Sequence, residues 1–438
     1  MISRRRLLMA GLGAAGIGVA TPARAGEPVV QRLANGLTVI IEPDRRARRV
    51  GVALRYSVGV RHEPRGYRQI AHLAEHLMFR GSAHVEPAMH FGHLAAAGAH
   101  SVGGFTAWDC TVLHETVPTG ALPLALWLES DRMGFALDRV GERDVELERE
   151  ILRNEARQRH GGDPIRLRTR LLAQRIFPSD HPYHREVENP ERFAEPDIDA
   201  IGLADVAWFM QQYYRPERAT LALVGDVDPS EVLSLVRRYF ESLRSHGPDP
   251  VDDRPPFRRL DGSTDERIAT SQGRAALSLG WPTAPLGTSE DAALDVIARH
   301  LTRPDGPLRK ALVDRQLATR AHARQHSFEL ASIFEVSASA SELTPVSAVA
   351  EAADQALETL HRHGITPARR DLLVARMALD ARRGMESFGA RAMKLATTGL
   401  TLRRHVARYE AVTPAAIEAV LTEALPRGRR ASVAVWPA

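Results

Sequence analysis

The segment His72-Leu-Ala-Glu-His76 concentrates more chemistry than any other stretch of this sequence. On an α-helix, positions four apart lie one turn from each other on the same face, so His72 and His76 can aim both imidazoles at one ion. Glu75 sits beside them, close enough to act on a water held by that ion. The order His-x-x-Glu-His inverts the His-Glu-x-x-His motif of zinc-assisted hydrolysis and offers the same parts: two nitrogen ligands and a carboxylate base. Two imidazoles leave such a metal short, because three protein ligands plus water is the usual catalytic set. Further along, Glu148 and Glu155 share an i, i+3, i+4, i+7 stripe with Ile151 and Leu152. Carboxylates on an inward stripe need a partner; a cation supplies one, and on an exposed face the nearby arginines would supply another. The chain has a single cysteine, Cys110, so disulfide frameworks and multi-cysteine zinc sites are excluded. Any transition metal must be held by His, Asp and Glu.

These residues need elements to position them. Helical periodicity runs through residues 69–79, 122–137 and 143–159, which places the two histidines and the two glutamates on separate helices. Apolar runs at 29–34 and 37–42 flank Asn35-Gly36 and predict a hairpin, followed by a strand over 51–59. Cys110 alternates within an expected strand and reads as a small buried apolar residue. A strand is expected over 218–225, then a helix capped by Asp228 with Pro229 in its first turn and Glu231 three residues past the cap. Residues 245–265 are rich in Pro, Gly and Asp and read as a linker. Beyond it, strands are expected over 274–280, 318–324 and 333–340, with helices starting at Ser289, Pro307, Pro345, Pro367 and Phe388. Arg218-Ala-Thr-Leu-Ala-Leu-Val224 is echoed at an offset of 212 by Arg430-Ala-Ser-Val-Ala-Val-Trp436, each copy following an amphipathic helix. That echo predicts two related α+β domains.

With these residues in view, the chain resembles the pitrilysin/insulinase family of inverzincin metallopeptidases, including its bacterial processing-peptidase-like members. The likeness runs through His72-Leu-Ala-Glu-His-Leu-Met-Phe-Arg-Gly81, Gly103-Gly-Phe-Thr-Ala-Trp-Asp109, Glu115-Thr-Val-Pro118 and Leu124-Ala-Leu-Trp-Leu-Glu-Ser-Asp-Arg-Met-Gly134. It continues through Glu148-Arg-Glu-Ile-Leu-Arg-Asn-Glu155, His181-Pro-Tyr-His184 and Leu223-Val-Gly-Asp226. The resemblance implies His72, His76 and Glu155 as ligands of one zinc ion per chain, Glu75 as general base, and Glu148 as the carboxylate orienting a histidine. It also implies that Gly103, Gly104, Phe105, Thr106 and Ala107 form an edge strand to which a peptide substrate adds. Asn is usual in the family at the position of Gly103. Complete members carry an Arg and, seven residues later, a Tyr that reach the substrate from the second half; Leu312 and Thr319 stand there in this chain. A related subunit supplying the missing Arg and Tyr in a heterodimer is therefore expected.

The fold expected from the resemblance is α+β: two homologous domains, each a mainly antiparallel sheet packed with helices, closing as a clamshell. Its parts would be an export signal over 1–25, a zinc-binding catalytic domain over 26–244, a linker over 245–265, and a homologous domain over 266–438 without zinc ligands. The function implied is zinc-dependent endopeptidase activity on peptides or unfolded segments. A non-catalytic assembly subunit or a peptide-binding protein of the same fold is the alternative.

Composition agrees with a globular chain of two or three domains: 438 residues, 44% hydrophobic and 26% charged. Aromatics at 5% argue against a stacking platform for single-stranded nucleic acid. The net charge of +4 resides in Arg4, Arg5, Arg6 and Arg24; without them basic and acidic residues balance at 54 each. No electrostatic case remains for nucleic acid or an anionic membrane. Residues 7–20 form an apolar run of 14, short of the about 20 that cross a bilayer, and Ala23-Arg-Ala25 has the form of a cleavage site. Ser3-Arg-Arg-Arg-Leu-Leu8 resembles a twin-arginine signal, although a general secretory signal fits the same residues. Either predicts export, to the periplasm in a bacterium, with no membrane span in the mature chain.

Overall fold

A computed structural model describes residues 27–160, 168–184, 196–244, 254–270, 275–342 and 344–437. The segment expected as an export signal and residues 245–253 of the expected linker lie outside the described residues. The first half runs β1 (Val29–Arg32), β2 (Thr38–Pro43), β3 (Arg49–Tyr56), α1 (Ile70–Leu77), α2 (Met89–Ala96), β4 (His100–Thr106) and β5 (Thr111–Pro118). It continues with α3 (Leu122–Phe135), α4 (Glu142–His160), α5 (Arg168–Ile176), α6 (Leu203–Tyr213), β6 (Ala219–Gly225) and α7 (Pro229–Phe240). The second half opens with β7 (Thr264–Thr270), β8 (Ala276–Thr283), α8 (Ser289–Thr302), β9 (Ala318–His326) and β10 (Ser332–Ala340). It closes with α9 (Val346–His363), α10 (Pro367–Gly384), α11 (Phe388–Thr398), α12 (Leu402–Glu410), α13 (Pro414–Ala424) and β11 (Ala431–Pro437).

The sheets are ordered β1-β2-β6-β3-β5-β4 and β7-β11-β8-β10-β9. Each contains one parallel pair, β2 with β6 and β7 with β11, in an otherwise antiparallel arrangement. The chain is thus an α+β protein of two topologically related domains in a clamshell, each a mainly antiparallel sheet packed with helices. The echoed strands β6 and β11 hold equivalent places, parallel to one neighbour and antiparallel to the other. Residue for residue, however, the echo is out of step. Leu221 and Leu223 face the helices of their own half, where α7 adds Val232 and Val236. Their echoes Val433 and Val435 face the opposite side, against α5. An odd displacement flips every side chain of a strand, so the halves correspond in topology while the sequence echo at 212 is out of register with the packing.

More than a linker joins the halves, because each lends a helix to the other's sheet. Phe388, Ala392, Leu395 and Ala396 of α11 pack on Ile40, Ala53, Val112, Ala222 and Val224 of the first sheet. Leu171, Leu172 and Ile176 of α5 pack with Ile333, Val433 and Val435 of the second. Strand β3 is consequently buried on both faces from Val50 to Tyr56, which is why its sequence is apolar from Val50 to Leu54, with Arg55 buried beyond it in its pair with Glu329. Gly51 is required by the crossing helix: a Cβ there would lie 2.3 Å from the Phe388 carbonyl carbon. Arg391 ties α11 down by pairing with Asp44 and Glu42. The tips of the β4–β5 and β9–β10 hairpins also meet. Asp109 accepts from the Glu329 backbone N–H at 3.0 Å and from the Tyr183 hydroxyl at 2.5 Å, Arg55 pairs with Glu329, and Trp108 packs on Phe328.

Two local expectations are corrected, at β7 and Cys110, and two elements form with a difference in detail. Strand β7 starts at Thr264, inside the expected linker; its run of Asp265, Glu266 and Arg267 hides it, and pairing with β11 creates it. The helix expected from Pro307 forms, and passes from residue 309 into a π-helical turn, Arg309–Val313. The hairpin expected around Asn35-Gly36 forms between β1 and β2; in its loop only Gly36 takes positive φ, and the Asn35 side chain donates to the Phe240 and Leu243 carbonyls at the end of α7. Cys110 is buried, as expected, but lies in the β4–β5 turn rather than in a strand.

Candidate metal centre

Helix α1 buries Ile70, Ala71, Leu73, Ala74 and Leu77 in the first core, which turns His72 and His76 outward toward α4. Gln69 enters the helix in the left-handed conformation at φ 76°, and its Oε1 lies 3.1 Å from His72 Nδ1. Glu148 Oε2 lies 2.8 Å from His76 Nδ1. With Nδ1 donating in each ring, both Nε2 lone pairs are left to face the same space. Glu155 enters that space, its carboxylate oxygens 3.9 Å from His72 Nε2 and 3.7 Å from His76 Nε2. Seven helical residues span about 10.5 Å, so Glu148 reaches the back of His76 while Glu155 reaches its front.

Among the described residues, His72, His76 and Glu155 are the group able to hold a metal, with one ligand atom from each within 4.8 Å of the others. A tetrahedral zinc about 2.1 Å from each donor would set them about 3.4 Å apart, so contraction of a few tenths of an ångström to about 1.4 Å closes the set. Two imidazole nitrogens and one carboxylate oxygen suit zinc, and the partly exposed side chains leave a fourth position for water or substrate. The electrostatics also favour a cation. Burial alone would lower the His76 pKa, but the hydrogen bond and charge of Glu148, then Glu75 and Glu155, hold it above its ordinary value. Burial would raise Glu148, yet bonds from His76 and Arg80 hold that carboxyl below its usual range.

A raised histidine stabilises the metal-free fold fully below the unfolded value near 6.5 and loses that contribution as pH rises through the folded value. Bound metal takes the place of the proton. Thermal unfolding from pH 6 to 8 is therefore expected to show a zinc-dependent rise in Tm that grows with pH. An increment that shrinks over that range would count against a metal on His76.

Glu75, next to His76 on the same helix, is buried and accepts a hydrogen bond of 2.6 Å from Thr106 Oγ1. Thr106 belongs to β4, the last strand of the first sheet, which pairs only with β5 and leaves its outer edge open among the described strands. Gly103, Gly104, Phe105 and Thr106 pair regularly with His114, Leu113, Val112 and Thr111. Ala107, expected to continue that strand, does not. Its N–H donates to the Cys110 carbonyl at 2.8 Å and its carbonyl accepts from Val60 at 2.9 Å, so both groups are consumed in the turn. A side chain at 103 would meet only His114 at ordinary contact distance, so the fold leaves room there for the family's Asn.

Leu312 and Thr319 differ in their surroundings. Thr319 is exposed on the wall of a cavity of about 1440 Å³ between β7, β11 and α9. Leu312 is fully buried in the second core with Leu308, Ala318 and Val349. Replacing it with Arg would bury an unpaired charge among apolar side chains. Leu312→Arg is accordingly expected to cost at least about 3 kcal/mol, and Thr319→Tyr little, in chemical denaturation. Equal midpoints for both variants would contradict this packing.

The other histidines near α1 and α5 have separate surroundings. His84 pairs with Asp131, His90 is buried with its pKa lowered by burial and Arg132, and His100 lies beside Arg49; none joins a metal group among the described residues. His184 Nδ1 lies 2.9 Å from the Phe177 carbonyl and closes the turn after α5. Two supporting side chains escaped the sequence reading, Gln69 behind His72 and Arg80 on Glu148. Their spacing, three residues before His72 and four after His76, was the available signal.

Comparison with known proteins fits this geometry. A model described as insulinase (peptidase family M16) matches residues 38–159, and one described as the peptidase M16 inactive domain matches residues 200–377. The chain is 27% identical over 362 residues to the zinc protease PqqE of Helicobacter pylori, covering 81% of this chain and 79% of that protein. It is 27% identical over 429 residues to an uncharacterized zinc protease of Mycobacterium tuberculosis, covering 94% of each. Among solved structures, a protease from Helicobacter pylori superimposes with a TM-score of 0.85 at 23% identity, covering 94% of this chain and 100% of that one. The first half of the periplasmic protease PqqL from Escherichia coli does so with a TM-score of 0.72 at 17% identity, covering 96% and 94%.

Proposed function

Because this chain belongs to the pitrilysin/insulinase family (peptidase family M16), we propose that it is a zinc-dependent endopeptidase acting on peptides or unfolded protein segments. The observation that carries the reading is the convergence of His72, His76 and Glu155 in front of a buried carboxylate, Glu75. A zinc ion bound there would supply Lewis acidity toward the scissile carbonyl and the attacking water. Glu75 takes the proton of that water and returns it to the leaving amine. Glu148, fixed by Arg80, keeps His76 in the tautomer whose Nε2 is free to ligate. The open edge of β4 binds the substrate backbone as an added strand, which selects extended rather than folded chains.

The proposal extends to assembly and location. With Leu312 buried and Thr319 short, the donors opposite the metal come from a homologous partner, and this chain is the zinc-bearing subunit of a heterodimer. Export to the periplasm by the twin-arginine-like leader is part of the reading; among the described residues no helix is long and apolar enough to cross a membrane. An assembly subunit without activity has no use for a complete set of converging ligands, which disfavours that alternative. The test is cleavage of an unstructured fluorogenic peptide by the reconstituted complex, before and after chelation and after zinc is restored. Peptide binding that survives chelation with no cleavage in any state would replace the peptidase reading with a binding one.

A further inference from the structure

We propose that Thr106 is the positioning residue for Glu75, and that a peptide docking on β4 acts on the base through it. This rests on the peptidase reading above. Thr106 Oγ1 donates to Glu75 Oε2 at 2.6 Å. Its cross-strand neighbour Thr111 lies 3.4 Å away, hydroxyl to hydroxyl, and Thr111 gives its own proton to the Val58 carbonyl at 3.0 Å. A carboxylate can only accept, and at 2.6 Å against 3.4 Å it is the nearer partner, so the Thr106 proton goes to Glu75. Two residues earlier on the same face of the strand, Gly104 leaves the space that the other oxygen occupies. A Cβ on Gly104 would stand 2.8 Å from Glu75 Oε1 and 3.0 Å from Leu113 Cδ2. One strand thus fixes both oxygens of the base, one by a donor and one by a bare backbone.

That strand is also the open edge. Its pairing with β5 slips between His100 and Gly103, where Ser101 takes φ 55°, so only the four residues from Gly103 to Thr106 are held regularly. A peptide adding along the outer edge supplies β4 with a second set of main-chain hydrogen bonds and steadies the Thr106 hydroxyl against Glu75. Base orientation and substrate occupancy become linked through one side chain, with no contact needed between Thr106 and the peptide's own side chains.

Thr106→Val keeps shape and removes the donor; Thr106→Ser keeps the donor. In the reconstituted zinc-loaded complex, Thr106→Val is expected to lower kcat about 10- to 100-fold with KM within about twofold and zinc content unchanged, while Thr106→Ser stays within about threefold of wild type. A second readout does not depend on activity. Thr106→Val should lower Tm in the wild-type background and do so much less in Glu75→Leu, where the hydroxyl has lost its carboxylate acceptor and keeps only the Thr111 oxygen at 3.4 Å. Wild-type kcat in Thr106→Val, equal damage from Ser and Val, or additive Tm changes would each overturn the proposal. A wild-type complex that cleaves nothing would strike the peptidase reading instead, and the unfolding cycle would still decide the Thr106–Glu75 link.

Discussion

Glu75→Gln is expected to retain zinc and lose peptide hydrolysis by about 10³- to 10⁴-fold. The amide is isosteric with the carboxylate, so it fits the space that Gly104 leaves and can still accept from Thr106. What it cannot do is take the proton of the attacking water. Because Glu75 is not among the three converging ligands, metal content should stay near one zinc per chain by elemental analysis. His76→Ala gives the opposite signature: a nitrogen ligand is lost, Glu148 and Arg80 remain as a pair without a ring between them and the metal, and zinc and activity should fall together. The comparison separates base from ligand in one assay. Substantial cleavage by the Gln variant would remove Glu75 from the reaction and leave the carboxylate as a structural group.

The parts of this site that were legible in the sequence are those governed by local geometry. Two histidines four apart on a helix share a face wherever that helix lies, and Glu148 and Glu155 share one on theirs. The cap at Asp228 was legible for the same reason: its side chain accepts from the N–H groups of Ser230 and Glu231, two and three residues on. What escaped depends on which element arrives from elsewhere. The amphipathic character of α5 and α11 shows that each must bury a face, but nothing local tells α11 to lie on the sheet of the first half. Leu312 stands where the family motif has an Arg, and only the π-helical turn Arg309–Val313 shows that its side chain is carried into the core. Ala107 has strand-like neighbours, yet the Val60 N–H claims its carbonyl. Strand β7 has a charged, exposed sequence and exists because β11 offers it an edge.

The exchange of helices bears on where catalytic closure takes place. With α5 on one sheet, α11 on the other and the Asp109–Glu329 contact between hairpin tips, the halves of one chain are interlocked, and wide opening within the chain would expose two apolar interfaces. A chamber that opens for substrate is better built between two chains. The isolated chain is accordingly expected to bind zinc and show almost no cleavage, and the homologous partner to raise kcat by about 10²- to 10³-fold for each oxyanion donor it contributes. On the heterodimer proposal a second copy of this chain is expected to give no such gain, since it brings the same buried Leu312 and the same short Thr319. Titrating a related chain that carries Arg and Tyr at these positions into the zinc-loaded protein should give activity that saturates at one to one. Substituting that Arg or Tyr in the partner should abolish the gain without changing zinc content. Full turnover by the purified single chain would show instead that the first half stabilises the developing charge with its own groups, and the need for a second subunit would disappear.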